Sequence, residues 1–124
     1  MNSAFMLLSM IFLHIIDDFC LQAFCLNKLK QKSFWEKEAP DKMYRFDYIV
    51  ALLAHGFSWA FMMMLPIAWS MDFQVTGQFF IWLLGNAFVH SFVDNAKANW
   101  HMHNLIFDQM IHLMQISATA IVFL

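Results

Sequence analysis

Charge is scarce in this sequence. Asp, Glu, Lys and Arg make up 13% of its 124 residues, about half the share of a water-soluble domain, so a fully wetted surface is excluded. Glycine (3) and proline (2) are scarcer still. Few positions can therefore break a helix, and a fold built from tight turns is ruled out. Two cysteines are too few for a disulfide scaffold. Cys20 and Cys25 lie five apart on one segment, on divergent faces, and are expected to pack rather than pair. No internal repeat, low-complexity tract or nucleic-acid signature appears; the few basic residues are explained by topology.

What the chain has in quantity is apolar. Hydrophobic residues make up 61%, with 15 Phe, 11 Met and 5 Trp, and the mean hydropathy is +0.56. The length suits one domain. Tyr48 to Trp69 carries no formal charge and is long enough to cross a hydrocarbon core of about 30 Å. Thr76 to Val93 is also uncharged, Asn104 to Leu124 holds only Asp108, and Ser3 to Leu26 is interrupted by Asp17 and Asp18. A soluble bundle needs polar outer faces, and "FMMMLPIAW" and "FFIWLLG" offer none. The expected fold is all-α: one integral membrane four-helix bundle, with helices over 3–26, 46–69, 76–98 and 104–124 and a loop over 27–45. The first segment lacks a basic leader and a small-residue cleavage site, so it is expected to be retained as a helix.

Six of the seven basic residues (Lys28, Lys30, Lys32, Lys37, Lys42 and Arg45) fall between the first two helices. Lys97 emerges on the same side, and the opposite loop "SMDFQV" has no basic residue. The positive-inside rule makes the 27–45 loop cytoplasmic and puts both termini outside. That loop, with Phe34, Trp35, Tyr44 and Phe46, reads either as a solvated connector with interfacial anchors or as a lid over the bundle mouth. Gly85 is a candidate for close helix approach, and Pro66 for a kink.

The polar residues fall into stripes at helical spacing. The first helix gives His14, Asp18 and Gln22; the second, Asp47, His55 and Ser58. The third gives Asn86, His90, Asp94 and Lys97, and the fourth Asp108, His112, Gln115 and Thr119. Lipid offers such stripes no partners, so they should form an inward-facing His/Asp layer. Counted from the cytoplasmic ends, Asp18, His55, His90 and His112 share a level roughly 12–14 Å deep. Gln22, Asp94 and Asp108 form a layer at about 6 Å, and His14 lies deeper.

Imidazoles and carboxylates at one level suit a divalent transition metal, zinc first, with iron or manganese as alternatives. The candidate ligands are His14, Asp18, His55, His90, Asp94, Asp108 and His112. The blander reading is that such residues are hydrogen-bonding glue between helices. Asp17 points about 100° off its stripe, toward a neighbouring helix or a second subunit of a homo-oligomer. His101 and His103, in the last turn, are expected at the interface or in a weak peripheral metal site.

The blocks "HIIDDFCLQ", "HSFVDNAK" and "FDQMIHL" resemble a family of small bacterial and phage membrane proteins, the domain-of-unknown-function family numbered three-three-zero-seven. Its members read approximately H-x-x-x-D-F-x-L-Q, H-x-x-x-D and D-Q-x-x-H. The resemblance implies importance for His14, Asp18, Gln22, His90, Asp94, Asp108, Gln109 and His112, and for His55. It implies a bacterial inner membrane, but no activity. Asp17 stands where the family has a small residue.

Two functional classes follow from the residues, with a third behind them. The first is a metal-dependent hydrolase acting on a lipid or lipid-linked substrate from the cytoplasmic side. Asp94 or Asp108 would take the proton and Lys97 would steady an anionic head group. The second is a proton or ion channel or transporter using the His/Asp layer as a relay. The third is a phage or bacterial membrane interaction protein.

Overall fold

The computed structural model describes residues 1–22 and 26–124, and they are all-α. Helix α1 (Ser3–Ile15) passes into a π-helical turn, Ile16–Leu21. Two short helices follow, α2 (Leu26–Leu29) and α3 (Lys32–Glu38), then a 3-10 turn at Lys42–Tyr44. Three long helices complete the chain: α4 (Asp47–Ser70), α5 (Gly77–Ala98) and α6 (Leu105–Phe123). Three segments are apolar and long enough to cross a membrane: Ser3–Leu21, Lys42–Ser70 and Leu105–Phe123. Helix α5 is as long, but Asn86, His90, Ser91, Asp94, Asn95 and Lys97 dilute its apolar character.

Three of the long helices, α1, α5 and α6, begin where the sequence supplies caps. The side chain of Asn2 accepts from the Ala4 and Phe5 amides, Thr76 from Phe79 and Asn104 from Phe107, satisfying donors that a helix start leaves free. Each helix then buries a stripe at a spacing of three or four. On α4 this is Leu52, His55, Trp59, Met63 and Ile67; on α6, Asp108, His112, Ile116 and Thr119. The opposite faces are large and apolar: Phe5, Leu8 and Phe12 on α1, and Ile81, Leu84 and Phe88 on α5. Polar residues inside and apolar residues outside reverse the order of a water-soluble bundle and fit a lipid solvent.

Helix α4 is the centre of the packing, against α1 on one side and α5 on the other, while α6 closes against α5 and α1. The α4–α5 seam is tightest at Gly56. A Cβ there would overlap the Ser91 hydroxyl and come within 2.5 Å of the Ala87 carbonyl oxygen. Gly85, expected to serve close approach, has open space around it. Pro66 sits inside α4, which continues to Ser70. One half of the interior is an apolar core around Met6, Met10, Trp59, Met63, Met64 and Ile116, all nearly inaccessible.

Two expectations for the first helix and its loop change. The α-helix ends at Ile15 instead of running to residue 26, and the 27–45 segment is largely helical. That segment packs on α4 and is tied by hydrogen bonds to the C-terminal end of α5: the Lys32 amide donates to Asn99 Oδ1 (2.7 Å), and Asn99 Nδ2 donates to the Lys30 carbonyl (3.0 Å). Cys20 is exposed instead of packed, and Cys25 lies outside the described residues.

Candidate metal centre

The π-turn decides how α1 contributes. Its wider backbone ring, closed by Gln22 N–H to the Asp17 carbonyl (3.1 Å), lets two consecutive side chains face inward. Asp17 and Asp18 are both buried. Such turns cluster at functional sites. Asp17, expected to point toward a neighbouring helix or a second subunit, faces α4 through Ser58 and His55, and the π-turn keeps it beside Asp18.

Asp18, His55, His90, Asp94, Asp108 and His112, from α1, α4, α5 and α6, are brought together in the interior. Three groups of ligand atoms lie close enough to hold an ion: Asp18 with His55 and His90; His90 with Asp94 and His112; Asp18 with Asp108 and His112. In the first, His55 Nε2 and His90 Nε2 are 3.0 Å apart. Asp18 Oδ1 lies 3.3 Å from the former and 3.7 Å from the latter. Ligands about 2.0–2.2 Å from a tetrahedral zinc ion lie about 3.3–3.6 Å from one another. One edge of the triangle falls in that range and the other two within about 0.3 Å of it, close to the spacing of three zinc ligands, although the 3.0 Å edge is also hydrogen-bond distance between the two imidazoles. Asp18 Oδ1 is also buried without a hydrogen-bond partner, the state expected of an atom shaped for a cation.

Other groups surround the triangle. Asp17 accepts from Ser58 Oγ (2.5 Å) through Oδ1 and turns Oδ2 toward His55 Nδ1 at 3.5 Å, without a hydrogen bond. A carboxylate on that side favours the tautomer with the proton on Nδ1. His90 is sandwiched between Trp59 (ring centroids 4.2 Å) and His112 (4.1 Å). Gln115 donates through its amide to Asn86, so its Oε1 is left to face His112 Nδ1 at 3.4 Å. The Nε2 of His112 then lies bare between Asp94 Oδ1 and Asp108 Oδ2, 3.5 Å from each, with no hydrogen-bond partner. A lone pair between two carboxylates calls for a proton or a metal ion.

Two lysines answer part of the negative charge. Lys30, expected to be a solvated loop lysine, is buried at 1% exposure. Its Nζ donates to Asp94 Oδ2 and Gln22 Oε1, both at 2.6 Å. Lys97 Nζ donates to Asp108 Oδ2 at 2.7 Å. Four buried carboxylates face two ammonium groups, so the negative charge left over must be met by protons, on the carboxylates or on His112, or by a bound cation. Burying such an excess without a counter-charge is prohibitive.

The remaining expected residues fall into place around this. His14 is buried beside the cluster but belongs to none of the three groups; Trp59 and Gln109 occupy its two nitrogens. Gln22 partners Lys30. His103 approaches Asp108 Oδ1 at 3.3 Å, and His101 is exposed. A cavity of about 410 Å³ runs up to Asp18, lined also by Phe19, Gln22, Asn27, Lys97 and Gln109. Lys30 and Trp59 were missed from the sequence; the first looked like a topology signal and the second like ordinary core.

Fold and cluster define the class: a helical, membrane-associated protein with buried His/Asp groups suited to a metal ion. No protein-family model, curated protein or solved structure matches the chain, so the functional reading stands on the site's own geometry.

Proposed function

We propose that this protein is a membrane-embedded metalloprotein, a four-helix bundle whose inward-facing His/Asp layer binds one divalent transition ion, zinc before iron or manganese. We take it further to be a hydrolase of a lipid or lipid-linked substrate. The observation that carries the metal reading is the triangle of Asp18 Oδ1, His55 Nε2 and His90 Nε2 within a cluster where four buried carboxylates face two ammonium groups. His112, Asp94 and Asp108 supply the neighbouring donors.

When bound, such an ion supplies Lewis acidity and a water acidified to near neutrality. The protein's own groups do the rest. Asp94 Oδ2 is held by Lys30 and its Oδ1 faces the interior, whereas both oxygens of Asp108 are engaged, by Lys97 and His103. Asp94 is therefore the better placed of the two to take a proton. Lys97, partly exposed and lining the cavity, is placed to meet an anionic head group. Phe19 and Leu105, half-exposed at the same cavity, give it an apolar flank for a lipid chain.

The segment with six basic residues and the C-terminal end of α5 share one end of the molecule. By the positive-inside rule this is the cytoplasmic end, with both termini outside. The assignment to a bacterial inner membrane rests on the resemblance of the sequence blocks alone. A proton relay is less well supported. Among the described residues the polar column stops at Asn86, Gln115 and Thr119, and the apolar core lies beyond.

The test is elemental analysis of the purified full chain after expression in metal-supplemented medium. Near-stoichiometric metal in the wild type, lost in His55→Ala and His90→Ala, is the expected result. Wild-type protein free of metal would sink the reading.

A further inference from the structure

The bonds around His14 have a direction that can be derived. The indole N–H of Trp59 lies 2.7 Å from His14 Nδ1. An indole nitrogen can only donate, so His14 Nδ1 must be the bare nitrogen and the proton of the neutral ring sits on Nε2. His14 Nε2 is 3.0 Å from Gln109 Oε1, so the amide oxygen accepts there and the amide nitrogen points the other way. It donates to Asp18 Oδ2 at 3.0 Å and also approaches Asp108 Oδ2 at 3.3 Å. Each bond fixes the sense of the next. At the end of the series Asp18 has Oδ2 occupied and Oδ1 free, and Oδ1 is the oxygen that faces His55 and His90.

We infer that Trp59, His14 and Gln109 form a hydrogen-bonded strut that selects which oxygen of Asp18 is presented to the ion. His14 is then a positioning residue and not a ligand. This rests on the metal reading above and adds three residues to it. Turning His14 to bind an ion would strand the Trp59 N–H, which is fully buried, without an acceptor. Trp59 also stacks on His90, so one side chain braces both the strut and a ligand ring. Gln109 suits its place because a carboxamide can accept at one end and donate at the other, which a carboxylate cannot.

The experiment has two arms on the full chain in detergent. The first reads the His14 tautomer by 15N NMR on metal-free protein. The Nε2–H form is expected in the wild type and a mixture in Trp59→Phe, which keeps an aromatic ring against His90 but removes the donor. The second is zinc titration against a competing chelator. Trp59→Phe and Gln109→Glu should weaken binding about ten- to hundredfold, the usual effect of losing a group that orients a ligand. His14→Gln can still accept and donate, and should keep most of the affinity, while His90→Gln should lose it. The strut is overturned by an Nδ1–H tautomer in the wild type, by unchanged zinc affinity in Trp59→Phe, or by His14→Gln failing as completely as His90→Gln. A wild type that binds no zinc overturns the metal reading instead, and the metal-free tautomer still decides whether the strut exists.

Discussion

Lys30 Nζ lies 2.6 Å from Asp94 Oδ2, both side chains 2% exposed, so a lysine from the segment after α1 is an internal counter-ion of α5. Removing one partner of a buried pair strands the other charge and costs about 3–5 kcal/mol. Lys30→Ala should therefore lower the thermal unfolding midpoint in detergent sharply. The neighbouring exposed Lys28→Ala should leave it within experimental error. Equal behaviour of the two variants would show that the pair does not form.

Asp17 separates orientation from ligation. Asp17→Asn retains an acceptor for Ser58 but removes the negative charge facing His55 Nδ1. Metal should still bind, about ten- to hundredfold more weakly, with unfolding little changed. Complete loss of metal would make Asp17 a ligand, and unchanged affinity would leave it with a structural role alone.

Metal should stabilise the fold in proportion to its occupancy. At a free zinc concentration about a hundred times Kd, the native state gains about 2.7 kcal/mol. Chelation should reverse the gain, and His90→Ala should be indifferent to both treatments. Differential scanning of the three samples, with and without chelator, checks this.

The α4–α5 seam gives a purely steric test. Gly56→Ala forces a Cβ against the Ser91 hydroxyl and the Ala87 carbonyl, and overpacking of this kind costs about 1–3 kcal/mol. Gly85→Ala meets open space and should be neutral or slightly stabilising. Reversal of that order in thermal unfolding would contradict the packing described.

Orientation can be read chemically. In a background with both native cysteines replaced by alanine, Met43→Cys lies on a residue 72% exposed. A membrane-impermeant maleimide should label it in inverted vesicles and not in intact cells.

The parts legible in the sequence were those carried by composition and 3.6-residue spacing. The apolar runs marked the long helices, and counting depth along the stripes predicted that Asp18, His55, His90 and His112 would meet. What escaped depended on departures from that spacing or on contacts distant in sequence. Asp17 faces a neighbouring helix, one of the two placements expected of it, but the π-turn that holds it there does not announce itself in the apolar pattern. Lys30 read as an interfacial charge because its burial depends on the segment around α2 packing back onto α5, sixty-four residues away from its partner. His14 was put on the correct face, but its partner Trp59 counted as apolar, and the indole N–H that decides its tautomer was invisible to hydropathy.

The apolar core around Met10, Met63 and Ile116 has one more consequence. With that half of the interior apolar among the described residues, the ion proposed for the His/Asp cluster has no polar path through the core and would exchange from the end that carries the basic segment. Its loading would follow the metal supply on that side of the membrane alone, whatever the concentration on the other.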